Sequence, residues 1–285
     1  VDVEMRNGAG DLTLDYTGEQ KDSGLADVQN VTVSGMTGGT LFIPGIETIN
    51  ITSEINKSKL TGLNTGAGAF GLADNQLETL TVSGDQNLTI TNGIPFGNAV
   101  GGKVVEGTVD ATAATGKVSL NVSGTNSTLQ VTGGTGDDTF NFAATLDKND
   151  IAEGGDGSDT LLIDAAALTT QTNQVTGFEK FGFNQTNADQ TMNQSKLPAS
   201  ISTLIVDGFD PNVAGGDETD ITVSKVVEGT GVVIKKTAAD TNAANAATDS
   251  AAGHGTRIVI TEANDNDSNS IAIELDAVGG NDNAI

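Results

Sequence analysis

Cysteine and tryptophan are absent from this 285-residue sequence, histidine and tyrosine occur once each, and proline four times. Without cysteine there is no thiol nucleophile, no zinc thiolate site and no redox switch. A secreted chain of this length does not need disulfides, so their absence does not argue for the cytosol. The single histidine, His254, lies in Gly253-His254-Gly255. Any His-dependent triad would rest on it, and its glycine neighbours suit flexibility better than a held general base. Neither H-E-x-x-H nor G-x-S-x-G occurs, which removes the zinc peptidases and the nucleophile-elbow hydrolases. Basic residues are few: 13 Lys and Arg stand against 38 Asp and Glu, for a net charge of −25 and a pI near 4.1. Nucleic acid and anionic membrane surfaces are therefore repelled, and divalent cations are the natural partners. No apolar run reaches the roughly 18 residues of a spanning helix, so no membrane span is expected. Aromatics make up 4% and hydrophobic residues 36%, a composition that buries small aliphatic side chains in thin layers.

What is present in place of these is glycine and aspartate in a fixed order. Gly133-Gly134-Thr135-Gly136-Asp137-Asp138-Thr139-Phe140-Asn141 and Gly154-Gly155-Asp156-Gly157-Ser158-Asp159-Thr160-Leu161-Leu162 both fit G-G-x-G-x-D-x-U-x with U apolar. This is the calcium nonapeptide of parallel β-solenoids. Glycines at positions one, two and four are expected to turn the backbone through φ > 0 and aim carbonyl oxygens into one concavity. The aspartate at position six adds a full negative charge to that ring. Ca²⁺ takes 6–8 oxygen ligands in flexible geometry and suits such a mixed donor set. Gly133 and Gly154 are 21 residues apart, close to a coil of about 18 built from two nonapeptides. The expectation is one ion held between Asp138 and Asp159 on successive coils. Candidate ligands are Gly133, Thr135, Gly136, Asp138, Gly154, Asp156, Gly157 and Asp159, with Asp150 and Glu153 as further ligands or nearby charges.

Along the rest of the chain one theme recurs at irregular intervals. Val28–Gly35, Ile46–Thr52, Leu77–Gly84 and Val118–Gly124 each alternate aliphatic with Thr, Ser or Asn and end in a turn. Phe178–Phe183 and Ile201–Gly208 are looser copies. Period-two alternation predicts half-buried strands, and units that cannot close a core alone must stack. The fold class expected is all-β, a parallel β-solenoid with calcium-binding turns, and an antiparallel β-sandwich is the alternative. Three parts follow: a β-repeat segment over 1–132, the calcium turns over 133–163, and a further β segment over 164–285 with a mobile loop near 237–253. Short helical turns are expected at Ile55–Leu60, Leu72–Leu77 and Gln190–Leu197. Gly215-Gly216-Asp217-Glu218-Thr219-Asp220 reads as a degraded nonapeptide, and Asp265–Asn269 as a polar hairpin turn.

The E-T-φ-x-φ-x-G cadence, the two nonapeptides and Val175-Thr176-Gly177-Phe178-Glu179-Lys180-Phe181 resemble the repeats-in-toxin proteins. Within that group they are most similar to bacterial surface-layer proteins and large adhesins exported by type I secretion. The resemblance implies an extracellular, cell-surface structural protein, and the missing catalytic motifs point away from an enzyme. Ca²⁺ would lock the solenoid, and the chain would self-associate into a two-dimensional lattice, with a cell-surface polysaccharide as a further partner. The segment 276–285 departs from a type I export signal, and the start at Val1 reads as that of a piece of a longer protein. Two rivals remain: an adhesin module that binds a glycan or host ligand, and a calcium-dependent polysaccharide lyase or epimerase module using Lys103, Lys117 or Lys180.

Overall fold

The structure, a computed structural model, describes residues 2–14, 27–64, 77–97, 106–124, 128–164, 174–183, 190–206, 220–236, 257–262 and 272–277. In chain order the first strands are β1 (Asp2–Arg6), β2 (Leu12–Thr13), β3 (Val28–Ser34), β4 (Thr40–Phe42), β5 (Thr48–Ser53), β6 (Ser58–Leu60) and β7 (Gly62–Asn64). Next come β8 (Thr79–Gly84), β9 (Leu88–Ile90), β10 (Gly107–Ala114), β11 (Val118–Asn121), β12 (Leu129–Thr132), β13 (Thr139–Ala143), β14 (Ile151–Glu153), β15 (Thr160–Ile163), β16 (Val175–Thr176) and β17 (Lys180–Phe183). The last are β18 (Gln190–Asn193), a 3-10 turn at Gln194–Lys196, β19 (Thr203–Val206), β20 (Asp220–Val226), β21 (Gly231–Lys236), β22 (Arg257–Glu262) and β23 (Ala272–Ala277).

From β8 to β17 successive strands alternate between two sheets. One holds β1-β3-β5-β8-β10-β12-β14-β16, the other β23-β21-β19-β17-β15-β13-β11-β9-β6. Smaller sheets, β2-β4-β7 and β18-β20-β22, join at either end of the chain. Every strand pair among the described residues is parallel. This is the strand path of a parallel β-solenoid, and it rules out the antiparallel sandwich. Asn7-Gly8, which by sequence permits a hairpin or a coil corner, is a corner: β1 and β2 pair with β3 and β4 and not with each other, and the Asn7 N–H donates to Ser34 O at 2.9 Å.

Alternation sets the faces. Val31 and Val33, Ile49 and Ile51, then Leu80 and Val82 are buried on successive rungs, with Val109 and Ala111 on the next and Leu129 and Val131 on the one after. On the second sheet Phe140 and Phe142, Leu161 and Ile163, Phe181 and Phe183 repeat the pattern. These side chains belong to one apolar cluster that runs from Met5 to Val232. Connections vary without disturbing it. Thr48 lies opposite Val28, twenty residues back in the chain, whereas Thr79 lies opposite Thr48, thirty-one back. Both sheets run across residues 133 and 164.

Of the expected helical turns, one is a strand instead and one is met in part. Ser58 and Leu60 are buried with exposed Lys59 between them, and β6 pairs with β9, so cross-rung packing overrides the local pattern at Ile55–Leu60. Gln190–Leu197 divides into β18 and the 3-10 turn, where the Asn193 side chain accepts the Ser195 N–H. Residues 72–76, the loop at 237–253, His254, Lys103, the degraded nonapeptide before Asp220 and the turn at 265–269 lie outside the described residues.

Candidate metal centre

The two nonapeptides connect the first sheet to the second on consecutive rungs. Residues 133–138 join β12 to β13, and 154–159 join β14 to β15. One rung further on, Gly177-Phe178-Glu179 joins β16 to β17. Their backbones lie in contact. A Cβ added at Gly133 would meet Gly154 O at 1.7 Å, and one at Gly154 would meet Gly177 O at 2.0 Å. Close approach of stacked backbone therefore requires glycine at these two places. The left-handed backbone expected of the motif glycines is confined to Gly155 (φ +100°) and Gly157 (φ +128°), while Gly133, Gly134, Gly136 and Gly154 lie outside that region. The cause is stacking: rung-on-rung contact, not turn curvature, excludes a side chain at the first glycine of each motif.

The carboxylates form a ladder. Asp138 is fully buried, its Oδ1 accepting the Val118 N–H and its Oδ2 the Gly134 N–H, both at 2.7 Å. Asp159 Oδ1 accepts the Asp138 N–H at 2.7 Å, and Glu179 Oε2 accepts the Asp159 N–H at 2.9 Å. Each acid thus caps the amide at the same position of the rung before it. The device recurs at the start of the first sheet's strands. Asp150 accepts the Leu129 N–H at 2.8 Å and the Asp147 N–H at 2.6 Å, and Glu47 Oε2 accepts the Asp27 N–H at 2.9 Å.

One oxygen stands out from this pattern. Asp159 is fully buried and its Oδ2 has no hydrogen-bond partner. Burial, reinforced by the charges of Asp138, Glu179 and Asp137, pushes its carboxyl up to about 7, against the single compensating bond from the Asp138 amide. Burial also raises Asp138 and Asp150, each offset by two amides. An unpartnered carboxylate oxygen in the interior costs several kcal/mol unless a proton or a cation meets it.

The residues expected from the sequence separate into groups. Gly133, Asp138, Gly154 and Asp159 come together through stacked turns. Thr135, Asp156 and Gly157 are exposed and Gly136 is half-buried. The Thr135 N–H donates to Ala114 O at 3.0 Å, and the Asp156 N–H to Gly134 O at 3.0 Å. Asp150 serves the opposite corner, before β14. Glu153 exposes its side chain and offers its carbonyl to the Gly133 N–H at 2.8 Å. Lys180 Nζ donates to Ser158 O at 3.3 Å, which places a cation beside the same turn. Glu179 is absent from the motif reading. The available signal was its position, twenty residues after Asp159, close to the spacing between the two motif aspartates.

No protein-family model, no curated protein and no solved structure matches the chain. Its chemistry is read from its own atoms. Among the described residues no three His, Cys, Asp or Glu side chains converge as a metal-holding group. A cation here would draw on backbone carbonyls as well as carboxylates, and an all-oxygen set with one free buried carboxylate oxygen fits Ca²⁺. Among the described residues no helix is long and apolar enough to cross a membrane.

Proposed function

We propose that the chain is a calcium-dependent structural module of a bacterial surface layer, a solenoid that works by holding its shape and packing against copies of itself in a two-dimensional lattice. The observation that supports this reading is the buried, unpartnered Asp159 Oδ2 beneath glycine backbone, in a stack whose other turn carboxylate, Asp138, is fully served by amides. When bound, the ion supplies two positive charges to a turn that otherwise buries an uncompensated negative one. Asp159 and turn carbonyls would hold it, and the rungs on either side would be pinned in register. At free calcium ten times the dissociation constant one site adds only about 1.4 kcal/mol, so a sharp response requires several sites acting together. Extracellular modules bind in the range of roughly 10⁻⁴–10⁻³ M, where ambient calcium is itself the signal.

The test is calcium addition to chelator-treated full chain, followed by electron microscopy, light scattering and thermal melting. Ordered sheets and a raised midpoint are expected. Unchanged particle size and unchanged melting would refute the reading. A second reading, a glycan-binding adhesin, has its own support. The outward positions of β3, β5 and β8, namely Asn30 and Thr32, Thr48, Asn50 and Thr52, Thr79, Thr81 and Ser83, form an uncharged amide and hydroxyl array on a strongly acidic chain. Asn50 Nδ2 donates to Asn30 Oδ1 at 2.8 Å within it, and the Thr52 and Ser83 hydroxyls pair at 3.1 Å. Polysaccharide binding that is lost in Asn50→Lys without loss of melting temperature would favour the adhesin.

A further inference from the structure

We infer that the cation sits one rung further along the stack than the two glycine-aspartate motifs imply: between turn 154–159 and Gly177-Phe178-Glu179, with Asp159, Glu179 and the Gly177 carbonyl around it. This placement rests on the calcium reading above and adds a residue, Glu179, that the motif does not contain.

Two rung-to-rung contacts compete for the ion, and they are built alike. Above Gly133 lie Gly154 O and Asp138 Oδ2, at 1.7 and 2.8 Å from the position of an added Cβ. Above Gly154 lie Gly177 O and Asp159 Oδ2, at 2.0 and 2.8 Å from the corresponding point. What differs is the state of the carboxylate. Asp138 Oδ2 already accepts the Gly134 N–H at 2.7 Å, and its partner oxygen accepts the Val118 N–H. Gly155 is the counterpart of Gly134 on the next rung. It stands at φ +100°, and Asp159 Oδ2 receives no bond from it or from any other donor.

The first contact is therefore satisfied by backbone alone. In the second, Asp159 Oδ2 and the Gly177 carbonyl oxygen both lie beside the Cα of Gly154, and the carboxylate oxygen accepts no hydrogen bond. Two like partial charges at a buried contact repel, and a hard divalent cation converts that repulsion into ligation. Glu179 supplies the second negative charge. Its Oε2 is fixed by the Asp159 N–H at 2.9 Å, so its carboxylate is tied to the same turn. Asp159 and Glu179 together balance the two charges of Ca²⁺. Mg²⁺, which dehydrates reluctantly and demands near-octahedral geometry, suits such a contact poorly.

The experiment is calorimetric titration of chelator-treated full chain with calcium chloride, paired with melting curves with and without the ion. Glu179→Gln should weaken calcium affinity by at least about tenfold, with Glu179→Asp falling between it and the parent chain. Asp138→Asn should lower the midpoint without calcium and keep the calcium-induced rise. Parent-like titration of Glu179→Gln would overturn the placement, as would a folded Asp138→Asn that has lost its calcium heat. If the parent chain itself gives neither heat nor a shifted midpoint, the calcium reading falls and takes the placement with it. Calcium binding that is intact in the parent and indifferent to Glu179 sinks the placement alone.

Discussion

Asp138 and Asp159 occupy the same motif position, yet neutralising them should move stability in opposite directions when calcium is removed. Asp138 uses both oxygens to accept buried amides, from Val118 and Gly134. In Asp138→Asn one of those amides faces an NH₂ group and loses its acceptor, and a stranded buried donor costs about 1–3 kcal/mol. Asp138→Ala strands both, for about 2–6 kcal/mol. Asp159 differs because one of its oxygens is idle. Asp159→Asn retains Oδ1 for the Asp138 N–H, removes the buried charge, and places an amide donor near Gly177 O. A carboxyl held at about 7 instead of its ordinary 3.8 corresponds to about 4 kcal/mol of penalty at pH 8 as a ceiling. Water near the exposed neighbours Asp156 and Gly157 screens part of this, so a gain of about 1–2 kcal/mol is expected. Chemical denaturation of chelator-treated chains at pH 8 measures both, with Asp138→Asn less stable than the parent and Asp159→Asn more stable. Equal losses in the two variants would refute the amide-capping account, because that account assigns the two carboxylates different surroundings.

The same group fixes the sign of a pH dependence. Between about 3.8 and 7 the folded chain keeps a proton on Asp159 that the unfolded chain has lost, so chelator-treated chain should lose stability as pH rises through that window. Asp138, Asp150 and Glu47 are raised as well and act in the same direction. Asp159→Asn should flatten the slope, and a stability that climbs from pH 4 to 7 in the parent chain would contradict the assignment. Glycine contacts provide a metal-independent check. Gly84→Ala drives a methyl into the Ser53 carbonyl at 2.0 Å and should destabilise by about 1–3 kcal/mol with or without calcium. Gly10→Ala, with nothing within 4 Å, should stay within about 0.5 kcal/mol of the parent by the same melting assay.

Much of the strand inventory was legible because it depends on alternation alone. Val28–Ser34, Thr48–Ser53, Thr79–Gly84 and Val118–Asn121 read as strands before any partner is known, since aliphatics two apart need one buried face. β10 was not legible. Its inward positions include Gly107, Ala111 and Ala114, small residues that carry little hydrophobic signal and are buried because neighbours crowd them. A Cβ at Gly107 would meet Leu129 Cδ2 at 2.6 Å and Phe96 Cγ at 2.9 Å. The turn chemistry was legible in residue type and not in partnership. Sequence spacing brings Asp138 and Asp159 to adjacent rungs, but the motif does not tell that Gly134 donates to Asp138 Oδ2 while Asp159 Oδ2 receives no donor. Asp150 looked like part of the same cluster because it is near in sequence, whereas the coil carries it to another corner.

The carboxylate ladder gives the stack a polarity. Asp159 completes an amide of the Asp138 rung, and Glu179 completes one of the Asp159 rung, so each layer is finished by its successor. Growth from the amino end always leaves a bare donor at the front, and growth from the carboxyl end leaves a charged acceptor waiting. The two directions of assembly are thereby inequivalent, and a chain ordering from its carboxyl side meets a template already set to receive the next amide.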